Sequence, residues 1–120
     1  ILNINRENNS MILAGDVPQG SRVQLMMASA DALLNGAQDA ASLANQNRKK
    51  KPELALLVSC IGRRLVLNQR AEEEIEEVIN VIGEDVTVGG FYSYGEIAPF
   101  YGESNGTLHN QTMTLTLLSE

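Results

Sequence analysis

The 120-residue chain has a single cysteine and a single histidine. One cysteine makes no internal disulfide and no Cys-rich metal site, and one histidine makes no His-rich zinc centre. Tryptophan is absent and aromatics make up only 4% of the chain, so its core is expected to be aliphatic. Positive charge is scarce too, with 9 Lys and Arg against 15 Asp and Glu, a net charge of -6. Such a chain is repelled by phosphate backbones, which argues against a nucleic-acid partner. No apolar run approaches the ~20 residues that span a bilayer, and no signal-peptide pattern opens the chain. A cytoplasmic protein without membrane insertion is expected. The chain also lacks a G-x-S-x-G elbow, a P-loop, a Rossmann fingerprint and a Cys/His pair spaced for zinc. Nothing in it points to an enzyme.

What is present fits one domain of ordinary size, 43% hydrophobic. The chain opens at Ile1 on what already reads as a strand, so a fragment of a longer protein is expected. Asn tolerates positive φ, which makes Arg6-Glu7-Asn8-Asn9 a hairpin turn between strands at Ile1 to Ile4 and Met11 to Ala14. Gly15 to Gly20 is loop chemistry. Arg22 to Met27 alternates, with Val23, Leu25 and Met27 on one face, and predicts a third strand. From Ser29 to Asn45 the apolar residues Ala30, Leu33, Leu34, Ala37, Ala41 and Ala44 fall at helical spacing, with Ser29 as N-cap. Gly36 in that helix marks a close approach. Arg48-Lys49-Lys50-Lys51-Pro52 then ends it, as a solvated basic turn or an anion patch.

Leu54 to Ser59 is an unbroken apolar run and predicts a central strand buried on both faces. After Cys60-Ile61-Gly62-Arg63-Arg64, a second helix runs to about Ile82, burying Leu67, Ala71, Ile75, Val78, Ile79 and Ile82. Its glutamates, Glu72, Glu73, Glu74, Glu76 and Glu77, are expected on the solvated surface. A strand from Val86 to Tyr94 completes a crossover unit. Thr112 to Leu118 alternates cleanly and would be its antiparallel neighbour, reached through a link from Pro99 to Thr107. The fold expected is α+β, a mixed, largely antiparallel sheet of about six strands with two long helices packed on one face.

Chemistry concentrates at Gly89-Gly90-Phe91-Tyr92-Ser93-Tyr94-Gly95-Glu96, where two of the three tyrosines and a carboxylate close a strand. Its glycines leave room for another backbone or a ligand. Seven residues could converge at the strand ends: Cys60, Arg63, Tyr92, Tyr94, Glu96, His109 and Asn110. Arg63 would take a carboxylate and Glu96 an ammonium, which suits a small zwitterion. Each has a plainer alternative. Cys60 would be a small buried group, Arg63 and Glu96 would pair with each other, and the tyrosines would be core rings. His109 would be a hydrogen-bonded structural residue, or an axial ligand of haem iron.

Four segments resemble the FIST domain family, and its C-terminal half in particular. They are Gly15 to Met26, Ser59 to Arg64, Gly90 to Pro99 and Leu108 to Leu115, in that order. The resemblance implies a single sensory domain over residues 1-120 that binds a small polar ligand such as an amino acid. It implies a signalling partner such as a histidine kinase or diguanylate cyclase. Some members resemble haem-based nitric oxide sensors, and in eukaryotes a similar domain accompanies an F-box, which implies a protein-interaction module as the alternative.

Overall fold

The computed structural model describes residues 1–99 and 105–120. In chain order its elements are β1 (Asn3–Asn5), β2 (Ser10–Ile12), α1 (Ala30–Asn45), β3 (Leu54–Cys60), α2 (Ile61–Leu67), a 3-10 turn (Asn68–Arg70), α3 (Glu73–Ile82), β4 (Thr87–Ser93), β5 (Glu96–Pro99), β6 (Gly106–His109) and β7 (Met113–Leu118). The class is α+β. Three of the strand pairings are antiparallel (β1–β2, β3–β7 and β5–β6) and one is parallel (β3–β4). The strands divide among three sheets, of which the largest has the order β4-β3-β7.

The apolar run forms the middle strand β3, as its composition predicts. It is not buried on both faces. Ala55, Leu57 and Ser59 point inward and are buried, whereas Leu54 and Leu56 face outward and are about 40% exposed (39% and 43%). The helices cover the inner face only. There Ala37 and Ala41 of α1, Val78 and Ile82 of α3, and Val86 and Leu117 close a core over Ala55 and Leu57. Small alanines on the α1 stripe let that helix lie close to its neighbours. A smaller cluster of Leu33, Leu34 and Leu67 fastens the start of α1 to the end of α2.

Helix α1 follows its sequence signals. The Ser29 hydroxyl accepts the Ala32 N–H at 3.2 Å, and Asp31 sits in the first turn, where the helix dipole favours an anion. Gly36 does lie beside another group, the Arg63 guanidinium, but at ordinary contact distance, so a methyl group would fit there. The basic turn is engaged rather than free. Arg48 donates to the Leu117 carbonyl and the Ser119 hydroxyl, and Lys51 pairs with Asp85.

Four expectations need correction. The second helix is not continuous, because Asn68 takes a left-handed backbone (φ 52°) and splits it into α2 and α3. The break resets the helical phase, so Glu74, Val78 and Ile82 are buried and Ile75 is 40% exposed. Arg22–Met27 forms no strand and is exposed throughout. β7 pairs with β3 rather than with β4, on the opposite side of the sheet. The segment expected to be a plain link carries the β5–β6 hairpin; its residues 100–104 lie outside those described. The N-terminal hairpin forms as predicted, with Asn9 at φ 55° in its turn.

Candidate functional site

The site begins with β3 delivering two residues to one end of the sheet. Ser59 is the last inward residue of β3, and Arg63 lies in the first turn of α2, which starts directly after the strand. β4 runs parallel to β3 and brings Tyr92 level with Ser59. The phase reset in α3 turns Glu74 toward both. These groups meet on one carboxylate. Ser59 Oγ and Tyr92 OH each donate to Glu74 Oε1 at 3.0 Å, and Arg63 Nε donates to Oε2 at 2.9 Å. A second Arg63 nitrogen donates to the Leu33 carbonyl of α1 at 2.7 Å. One ion pair thus joins α1, α2 and α3 to the sheet, and its partners are 4% and 1% exposed. Two buried charges are tolerated here because each is paired and hydrogen-bonded.

Beside this network is a cleft of about 320 Å³ between α3 and the sheet. Leu57, Ile75, Val88 and Met113 give it apolar walls, while Ser59, Glu74 and Tyr92 supply polar groups. Gly89, Gly90 and Phe91 also line it and are exposed, so β4 forms part of its rim. Gly90 is required by the backbone. A Cβ there would lie 1.9 Å from the Leu57 carbonyl oxygen, whereas a Cβ at Gly89 would meet nothing within 4 Å. The close approach expected of these glycines is real at Gly90 and is made by β3.

The Tyr92 phenol is pushed up to about 12 by burial, and then by the Glu74 carboxylate that its proton bridges. The exposed Arg64 guanidinium lies over its ring, 5.2 Å from the centroid. Since the folded value exceeds the unfolded one of about 10, the neutral phenol stabilises the fold below that pH. Stability from this group should fall between pH 10 and pH 12, and Tyr92→Phe should remove that part of the alkaline limb in a pH-dependent melting series.

The seven candidate residues do not form one site. Arg63 and Tyr92 belong to the network just described. Arg63 pairs with Glu74 and not with Glu96. Glu96, 3% exposed, instead accepts from Ser93 at 2.5 Å and from Thr112 at 2.7 Å. His109 is its cross-strand partner in the β5–β6 hairpin. Cys60 is buried at the junction of β3 and α2, and its N–H bonds the Thr112 carbonyl. Tyr94 is 93% exposed, and Asn110 is exposed beyond the end of β6. Of the seven, only Tyr92 lines the cleft. The described residues hold the His109 ring in hydrogen bonds. The His109 Nε2 lies 3.1 Å from the Ala98 carbonyl oxygen and 3.0 Å from the Thr107 hydroxyl, and His109 does not line the cleft.

Sequence reading missed Glu74, the residue on which the site turns. Its signal was its spacing, four residues before Val78 and eight before Ile82. Among the described residues no three His, Cys, Asp or Glu are grouped to hold a metal ion. No helix there is long and apolar enough to cross a membrane.

The family model for the FIST C domain matches residues 1–99. The chain belongs to the FIST C domain family. Three of the four resembling segments fall inside the match, and Leu108 to Leu115 lies beyond it. No curated protein and no solved structure matches the chain. In this FIST C domain the matched span contains α1, the β3–α2–α3–β4 crossover and every residue lining the cleft except Met113.

Proposed function

We propose that this FIST C domain is a non-catalytic sensory module of the cytoplasm that binds a small polar metabolite of amino-acid size in the cleft between α3 and the sheet. The observation that carries the reading is the cleft itself: apolar walls around a buried, hydrogen-bonded carboxylate. Binding sites commonly combine apolar lining with a few fixed polar groups, in volumes from about 300 to 1,000 Å³. This one lies at the lower end, which suits a ligand no larger than an amino acid.

The chemistry of the walls supports the following roles. A carboxylate offers about four acceptor positions, and Glu74 uses three in bonds to Ser59, Tyr92 and Arg63. The remaining position would accept an ammonium or hydroxyl of the ligand. Arg63 is committed to Glu74 and Leu33, so Arg64, exposed over Tyr92, is the better partner for a ligand carboxylate. The ligand's apolar part would lie against Val88, Ile75 and Met113. Occupancy would change the packing of α3 on β4 and pass to a signalling partner, such as a histidine kinase or a diguanylate cyclase.

A thermal-shift screen with the free amino acids and small carboxylates tests this. A ligand at ~100 times its dissociation constant adds about 2.7 kcal/mol, a rise of roughly ten degrees in a domain of this size. The rise should vanish in Ile75→Trp, which puts bulk at the half-exposed mouth of the cleft. A hit unaffected by Ile75→Trp would place the ligand elsewhere.

A further inference from the structure

The β4 strand is an edge with unusual exposure. Among the described residues it pairs only with β3, and its sequence, Thr87-Val88-Gly89-Gly90-Phe91-Tyr92-Ser93, has no charge and no proline. Edge strands normally carry such residues, because an open row of N–H and C=O groups is a template for another strand. The chain also holds a strand pattern that joins no sheet among the described residues. Arg22–Met27 alternates, yet Val23, Leu25 and Met27 are 74%, 87% and 98% exposed. The radius of gyration, 16.2 Å, exceeds the roughly 14 Å of a compact domain of this length, as a projecting arm requires.

We propose that Arg22–Met27 of one copy adds as a strand to the β4 edge of a second copy, giving a reciprocal dimer. The lengths agree, six residues against the seven of β4. With Val23, Leu25 and Met27 on the inner face, they extend the apolar rim formed by Val88 and Ile75, and Arg22, Gln24 and Met26 stay on the outer face. The arm does not pair with the chain's own edge. Only Ala28 and Ser29 separate Met27 from α1, a span of about 10 Å when extended. α1 packs against β7 and α3. Glu74 of α3 bonds Tyr92 of β4, so α3 is the helix that packs beside that edge. A strand supplied by the partner also closes the open side of the cleft.

Light scattering on the purified chain over a hundredfold concentration range tests the proposal, with two variants that leave the fold alone. Leu25→Lys alters an exposed side chain, and Gly89→Lys enters open space. The wild type should dimerise as concentration rises, and each variant alone should stay monomeric with unchanged circular dichroism. An equimolar mixture of the two should form heterodimers, because the intact arm of one meets the intact edge of the other. A wild type that is monomeric throughout overturns the proposal, as does a dimer indifferent to both substitutions or a mixture that fails to associate. The Gly90 amide faces the open edge, because the Thr87 N–H bonds back to Glu53. Its protection in a monomer, lost in Leu25→Lys, would put the arm on its own edge and overturn the proposal as well.

Discussion

Glu74→Ala is expected to destabilise the domain by about 3–5 kcal/mol, a drop in melting temperature of roughly 10–20 °C. The loss exceeds that of an ordinary surface glutamate because of what remains. Arg63 stays buried between α1 and β3 with its charge unmatched, and the hydroxyls of Ser59 and Tyr92 lose their acceptor. Glu74→Gln should behave similarly, since it keeps the shape and removes the charge. Replacing both partners by apolar residues of like volume, Arg63→Met with Glu74→Leu, should recover most of the loss, because the cost of desolvating two charges disappears together with their attraction. Urea denaturation of the three variants separates the cases. A single substitution costing under 1 kcal/mol would mean that the pair is solvated.

The second large effect is expected at Gly90. Substitution by alanine drives a Cβ to within 1.9 Å of the Leu57 carbonyl oxygen, where both groups are backbone and neither can turn aside. Overpacking costs about 1–3 kcal/mol where side chains can adjust, and here the β3–β4 ladder itself must shift, so about 3 kcal/mol or more is expected. Gly89→Ala is the internal control. It meets nothing within 4 Å and should change stability only slightly. Equal effects at the two positions, read from denaturation midpoints, would contradict the close approach.

The sequence made some of this legible and hid the rest for identifiable reasons. α1 could be read because cap, spacing and breaker agree over a long window. β3, β4 and β7 could be read from composition and alternation, and the parallel β3–β4 neighbours from the crossover between them, but the place of β7 could not, since it depends on tertiary packing. The error at Glu74 came from treating Ile61 to Ile82 as one helix. Spacing from Leu67 then puts Ile75 inside, whereas the break at Asn68 starts a new phase and puts Glu74 there. A glutamate within a run of glutamates looks solvated, and only the presence of Arg63 beyond the end of β3 tells it apart. The β5–β6 hairpin was hidden by Pro99, which ends regular pairing in most strands. Here Pro99 is the last residue of a short outer strand, opposite Gly106, where a missing N–H is tolerated. The alternation of Arg22–Met27 was real, and the structure leaves that segment without a strand partner among the described residues.

The most direct test is an amide NMR titration of the isotope-labelled chain with a panel of free amino acids. If the cleft is the binding site, at least one amino acid should shift the amides of Ile75, Gly89, Gly90 and Tyr92 in a saturable way and leave the β5–β6 hairpin unchanged. Saturable shifts confined to Glu96 and His109, or no shift with any member of the panel, would contradict a ligand site between α3 and β4.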